Sequence, residues 1–265
     1  MEKVKTSYFW LLSILSGVVL WASWPPKTFS ILIFIALVPL LIIENELFLR
    51  KTKKSMAKVF YYTFTAFLTW NTLSTYWIYN ASLPGAISAI LINALLMTLP
   101  FLVFHKIRRS TNRSYSHIYL VFFWMSFEYL HLNWQLAWPW LSLGNVFAVK
   151  VNWVQWYEFT GAFGGTLWVW LVNILGFSII KRISKYGKEA VESIKLYVRS
   201  VQLLLVIALP MVISNFIDVE LNESISKNAV IVQPNIDPYN EKFAAGTFQD
   251  QLDKMLRLSE GAMDT

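Results

Sequence analysis

Seven apolar runs, separated by polar segments whose charge alternates, constrain this chain more than any other feature. They are Tyr8–Trp24, Thr28–Ile43, Val59–Tyr79, Ala86–Phe104, His117–Leu136, Phe159–Ile180 and Val198–Phe216. A helix that crosses a bilayer needs about 20 mostly apolar residues, and each run approaches that length. With the N-terminus placed inside, the inner segments carry seventeen basic residues: Lys3 and Lys5; Arg50, Lys51, Lys53, Lys54 and Lys58; Lys106, Arg108, Arg109 and Arg113; and Lys181, Arg182, Lys185, Lys188, Lys195 and Arg199. The outer loops before the C-terminal segment carry two, Lys27 and Lys150. This is the positive-inside pattern. It also supports seven crossings, because losing one would scramble the alternation. The predicted architecture is an α-helical polytopic membrane domain over residues 1–216, N-terminus cytoplasmic, with everything after Phe216 outside. Composition agrees: 15% of residues are charged, against about 25% in soluble domains.

Two runs need comment. The first ends in Trp24-Pro25-Pro26 without a small-x-small cleavage site, so it reads as an uncleaved signal anchor. The third is interrupted by Thr63, Thr65, Thr69, Asn71, Thr72, Ser74 and Thr75. In lipid these side chains are expected to face other helices, where they find hydrogen-bond partners.

Beyond Phe216 the composition changes. From Asn215 onward nine acids face four bases, a shift that marks a domain boundary. Residues 217–227 read as a polar linker. Asn228-Ala229-Val230-Ile231-Val232-Gln233 is continuously apolar in its centre, as in a buried strand of an α/β sheet. Pro234-Asn235-Ile236-Asp237-Pro238-Tyr239-Asn240 is a loop. A helix follows from Thr247, with Phe248, Leu252, Met255, Leu256 and Met263 on one face, and Thr247 and Asp250 spaced as an N-terminal cap. One strand and one helix cannot bury a two-sided core. The segment is either the opening unit of an α/β domain or a small appendage on the membrane domain.

Few residues bear obvious chemistry. The absence of Cys removes thiol nucleophiles and thiolate metal sites. No phosphate loop, metal-ligand cluster or Gly-x-Ser-x-Gly elbow occurs, so no cofactor and no metal are expected. Nor does the acidic outer segment suit nucleic acid. Glu128 and His131, three apart in the fifth run, share a helix face; they are either functional intramembrane groups or partners in an interhelical hydrogen bond. Glu158 sits before the sixth run, either oriented toward a headgroup or solvated. The tryptophans Trp134, Trp138, Trp140, Trp153 and Trp156 gather on the outer side, as in an interfacial belt.

Two stretches carry a resemblance. The first is Trp138-Pro139-Trp140-Leu141-Ser142-Leu143-Gly144-Asn145, with Gln155-Trp156-Tyr157-Glu158-Phe159-Thr160-Gly161 and Gly164-Gly165 after it. The second is Ile231-Val232-Gln233-Pro234-Asn235-Ile236, leading to Glu241-Lys242-Phe243. With Trp77-Ile78-Tyr79, they resemble bacterial apolipoprotein N-acyltransferases, which carry a nitrilase-like (carbon-nitrogen hydrolase) α/β domain outside the inner membrane. The resemblance implies that residues 228–265 are the first strand, loop and helix of such a domain. It implies a phospholipid acyl donor, a lipoprotein acceptor, and a lipid mouth formed from Trp77, Trp138, Trp140, Gly144, Glu158, Lys242 and Phe243. Phe243 stands where many members carry Trp, keeping the apolar face without the indole N–H. The family's catalytic Glu, Lys and Cys are expected beyond Thr265, so none is expected in this chain. The chain is then the N-terminal part of such an enzyme, inactive alone, and a second polypeptide carrying the missing half is a further candidate partner. The rival reading is a small multispan transporter or a non-catalytic lipid-binding membrane protein.

Overall fold

The computed structural model describes residues 6–27, 29–50, 53–111, 117–217, 230–237 and 240–261. Several expectations fall outside them: Lys3, Lys5, Lys51 and Arg113 of the basic pattern, Thr28, most of the linker with Asn228 and Ala229, Pro238 and Tyr239, and Met263. The chain divides into two compact units, Met1–Asp218 and Val219–Thr265.

Helices form in all seven apolar runs. They are α1 (Thr6–Ser23), α2 (Ile33–Ala36) with α3 (Val38–Arg50), α4 (Ser55–Thr75), α5 (Leu83–Thr111), α6 (His117–Leu132), α7 (Tyr157–Tyr186) and, after the short α8 (Lys188–Val191), α9 (Ile194–Ser214). Five of these segments are long and apolar enough to cross a membrane among the described residues: Thr6–Ser23, Ser30–Arg50, Leu83–Thr111, Tyr157–Tyr186 and Ile194–Ser214. The expected count of seven is therefore not reached on these grounds. α4 falls short because its Thr and Asn residues lower its apolarity. α6 has 16 residues, a rise of about 24 Å against a hydrocarbon core of about 30 Å; it ends at Leu132, not at Leu136.

α4 is the centre of the first unit, packed between α1 and α5. Its interruptions mostly do face protein. Thr63, Asn71 and Thr75 are buried, whereas Thr72 is exposed. Thr63 and Thr75 donate to the carbonyls one turn back, at 2.8 and 2.7 Å. Asn93 of α5 donates to Asn71 Oδ1 at 2.6 Å. On α1 the small residues Ser13, Ser16 and Gly17 are buried, which lets neighbouring backbones approach. A cluster of aromatic rings fills the middle of the unit. Trp124 of α6 lies 5.4 Å from both Phe67 of α4 and Trp170 of α7, ring centre to ring centre, and all three are fully buried.

The second apolar run is not one continuous helix. It breaks at Leu37, between α2 and α3, and Pro39 cannot donate a backbone N–H there. Asn173 of α7 enters the break. Its Oδ1 accepts from Leu37 N at 2.9 Å and its Nδ2 donates to Ile33 O at 2.9 Å. One amide thus substitutes for the missing helical bond between these two residues. Ser16 closes the other side, donating to Ala36 O at 2.6 Å.

α3 extends past Ile43 to Arg50 and carries Glu44, one residue past the apolar run, into a buried position. Glu44 accepts from His105 Nδ1 at 2.7 Å and pairs with Arg108. Arg108 and Lys181 both donate to Asn45 Oδ1, at 2.8 and 3.1 Å. Ser55 Oγ meets His105 Nε2 at 3.1 Å and Arg109 Nη1 at 2.6 Å. Part of the basic set read as topology signal is thus built into the protein.

In the second unit the expected strand is not found. Residues 230–237 have no regular structure, since an extended segment becomes a strand only beside a partner. Asn235 has φ 48°, consistent with the loop expected there. α10 (Phe248–Glu260) forms as predicted. The Thr247 hydroxyl does not cap it; it donates back to Glu241 O and Ala244 O, at 2.7 and 2.8 Å. Phe248, Met255 and Leu256 are exposed.

Asn173→Leu leaves Leu37 N–H and Ile33 C=O to rebond poorly or not at all. The expected result is a loss of about 1–3 kcal/mol, read as a lower thermal unfolding midpoint in detergent. Asn173→Asp, which keeps the acceptor and loses the donors, is expected to fall between this variant and the parent.

Candidate functional site

Between α6 and α7 the chain makes a long connection of short 3-10 turns, Pro139–Leu141, Leu143–Phe147 and Val151–Trp153. Buried backbone N–H and C=O groups outside a regular helix need partners, and here the partners can be named. Glu128, buried near the end of α6, accepts three donors. Leu143 N reaches Oε1 at 2.8 Å, Trp124 Nε1 reaches Oε1 at 2.9 Å, and the Thr166 hydroxyl reaches Oε2 at 2.6 Å. Thr166 Oγ1 in turn accepts from Gly144 N at 3.1 Å. Tyr157 donates its hydroxyl to Gly144 O at 2.8 Å. Both backbone groups of Gly144 are therefore held by α7.

Gly144 is required there. A Cβ on it would collide with the backbone oxygen of Ala162, so only glycine lets the connection lie directly on α7. The first turn of α7 is set apart by Gly161, whose φ of 62° interrupts the helix. Glycine adopts this conformation without penalty. The break lets Tyr157 turn back to Gly144 while the rest of α7 runs on. Ser30 donates to Val146 O at 3.1 Å, and Ser214 of α9 accepts from Gln155 N at 3.0 Å. The ring of Phe147 stacks 4.9 Å from Trp168.

Several of the singled-out residues come together. Trp77 lies 5.7 Å from Trp140, and Trp138 lies 6.1 Å from Trp140, ring to ring. Trp77 and Trp140 are largely exposed and Trp138 is half-buried. Beneath Trp138 a cavity of about 190 Å³ is lined by Asn93, His131, Ile92, Leu136 and Ala137. His131 accepts from Trp134 Nε1 at its Nδ1, at 3.1 Å. That leaves Nε2 as the protonated nitrogen of a neutral ring, with the Trp138 backbone beside it. Asn93 Oδ1 is buried and has no hydrogen-bond partner among the described residues. The cavity wall therefore includes an imidazole and an amide among apolar side chains, with Asn93 Oδ1 and His131 Nε2 themselves covered. A second, mostly apolar cleft of about 550 Å³ opens between α6 and α7, lined by Phe122, Met125, Ser126, Tyr129, Leu130 and Phe163.

Other residues stay apart. Glu128 and His131 share a face of α6, but each bonds to different partners. Glu158 is exposed in the first turn of α7, where a carboxylate suits the helix N-terminus. Lys242 and Phe243 belong to the second unit, both exposed, the ammonium 5.4 Å from the ring centre. Thr166, Tyr157 and Asn93 escape a sequence reading, because a hydroxyl or amide inside an apolar run looks like any helix-packing residue until its partner is known.

Comparison with known proteins gives three findings. A family model described as "Apolipoprotein N-acyltransferase N-terminal domain" matches residues 16–175. The chain is similar to the apolipoprotein N-acyltransferase of Chlorobaculum tepidum, 28% identical over 241 residues covering 87% of this chain and 42% of that protein. It is also similar to that of Geobacter metallireducens, 29% identical over 239 residues covering 86% and 43% respectively. The chain thus spans less than half the length of these curated relatives. No solved structure matches it.

Thr166→Val removes one donor from Glu128 and the acceptor of Gly144 N while conserving volume. The expected cost is about 1–3 kcal/mol, read as a lower unfolding midpoint, with a change in the fluorescence of the tryptophans on the connection. Thr166→Ser is expected to retain both bonds and the parent midpoint.

Proposed function

The chain belongs to the apolipoprotein N-acyltransferase family, and on that premise we propose that residues 1–216 are the seven-span membrane domain of such an acyltransferase. In this reading residues 217–227 are a linker and residues 228–265 the first strand, loop and helix of a nitrilase-like domain, on the outer side of a bacterial inner membrane. The N-terminus is cytoplasmic. The reaction served is lipoprotein maturation. A cysteine thiolate would attack an acyl ester of a phospholipid, releasing a lysophospholipid and leaving a thioester; the α-amine of an N-terminal diacylglyceryl-cysteine would then attack that thioester, forming the amide and releasing the thiol. Thiolate is both a strong nucleophile and a workable leaving group.

The observation that carries this reading is the outer connection held by Glu128, Thr166 and Tyr157, which lies within the residues matched by the family model. It supports a preformed, rigid shelf above a lipid-accepting cavity. Trp77, Trp138 and Trp140 form its interfacial rim. His131 and Asn93 are the polar residues of the cavity wall beneath Trp138, next to where the ester region of a lipid would lie. The mostly apolar cleft between α6 and α7 suits an acyl chain. Gly144 positions the shelf, and Glu158 is its candidate headgroup contact; in the second unit, taken by itself, the exposed Lys242 and Phe243 are candidates to meet lipid or acceptor. α4 and α6 cross the membrane shielded by their neighbours, which relaxes the demand for apolarity along α4.

Two measurements test this. The 265 residues contain no Cys, so this chain alone is expected to transfer no acyl group from phospholipid to a diacylglyceryl peptide; robust turnover would overturn the assignment of the thioester chemistry. The same absence makes single-cysteine labelling clean. With a membrane-impermeant maleimide on intact cells, Val151→Cys and Gln249→Cys are expected to label, and Ser110→Cys only after permeabilisation. The reverse pattern would invert the topology.

A further inference from the structure

α7 and α9 enclose a cavity of about 280 Å³ whose lining includes Lys181, Arg182, Lys185, Arg199, Ser178 and Tyr186. No Asp or Glu is among its lining residues. Four cations around one small space repel one another, and each is oriented by a neutral group. Lys181 donates to Asn45 Oδ1 at 3.1 Å, Arg182 Nε to Ser193 Oγ at 3.2 Å, and Arg199 Nη1 to Ser178 O at 3.4 Å. Arg182 and Lys185 stand over the Tyr186 ring at 5.3 and 4.8 Å. None of the ion pairs among the described residues involves these four cations. Glu44 is the one carboxylate within electrostatic reach of Lys181, and it is already taken by His105 and Arg108. Glu189 and Glu192, between the two helices, are exposed. Among the described residues no carboxylate pairs with the cations of the cavity.

We propose that this cavity is a binding site for a phosphate-bearing anion, supplied by an anionic phospholipid headgroup or by free phosphate. Its depth favours the lipid. On α7 the apolar run ends at Ile180 and the cations follow at once; on α9 Arg199 immediately precedes the apolar Val201–Ile213 stretch. Both helices thus place their charges at one membrane boundary, where a headgroup phosphate lies. Basic residues at such a boundary contribute about 1 kcal/mol each toward anionic lipid. Ser178 and Tyr186 add hydroxyls to the cationic donors. The site is separate from the outer connection and does not rest on the acyl-transfer reading.

The test uses the 265-residue chain purified in detergent, with native mass spectrometry of bound phosphatidylglycerol against phosphatidylcholine of identical acyl chains. Phosphatidylglycerol is expected to be retained roughly tenfold more strongly. Lys185→Gln/Arg199→Gln is expected to abolish the preference, and the charge-retaining Lys185→Arg/Arg199→Lys to keep most of it. Lys185→Gln alone, at an exposed position, is expected to weaken it roughly threefold to fivefold. A parallel titration with inorganic phosphate at constant ionic strength separates the sources. A phosphatidylglycerol preference unaffected by phosphate assigns the site to lipid, and saturable phosphate binding without lipid preference assigns it to the free anion. Equal retention of the two lipids with no phosphate binding would overturn the proposal, as would an unchanged preference in the neutralised variants.

Discussion

In hydrocarbon, a backbone N–H or C=O without a partner costs several kcal/mol, and that constraint governs how this membrane domain departs from simple helices. It departs twice in ways that matter. At Leu37 the second apolar run breaks, and the amide of Asn173 bridges the two groups the break would orphan. After Leu132 the chain leaves helix altogether, and the Glu128 carboxylate with the Thr166 and Tyr157 hydroxyls takes up the backbone of Leu143 and Gly144. In both places α7 supplies essential partners. It is the element against which the irregular parts of the first unit are registered.

The two polar regions of the domain use different chemistry. Toward the tryptophan-rich end, Glu128 takes up three donors, while Asn93 beside a small cavity keeps an unmatched acceptor. Toward the other end, charge is deliberately unbalanced: Glu44 compensates His105 and Arg108, while the cations on α7 and α9 keep theirs. A saturated network fixes a loop in one shape, and an unsaturated one attracts a counter-charge from outside. The contrast follows from the same Coulombic terms at different local balance.

Much of the helical layout was legible from the chain because hydropathy is a local property. Helices lie in every one of the seven apolar runs, and α10 begins where its amphipathic face begins. What could not be read locally depends on partners far away in sequence. Asn173 and Leu37 are 136 residues apart, and no periodicity in Thr28–Ile43 announces that a side chain from α7 will sit in it. Glu44 lies one residue past the run Thr28–Ile43; its burial depends on Arg108 and His105 from α5. For Glu128 an interhelical hydrogen bond stood among the expected readings, but its partner is a loop N–H as well as a helix. The strand expected at residues 228–233 has no counterpart among the described residues 230–233 for a related reason: continuous apolarity reports a preference for burial, while a strand also requires a neighbour to bond with.

The positive φ at Gly161 has a mechanical corollary. Below it α7 runs uninterrupted to Tyr186, so Thr166 and Lys181 ride on one stiff rod about 22 Å apart along its axis. Above it the Tyr157 turn is decoupled and stays with the loop. One rigid helix therefore sets both the Thr166–Gly144 contact and the placing of Lys181 and Arg182 beside Arg199.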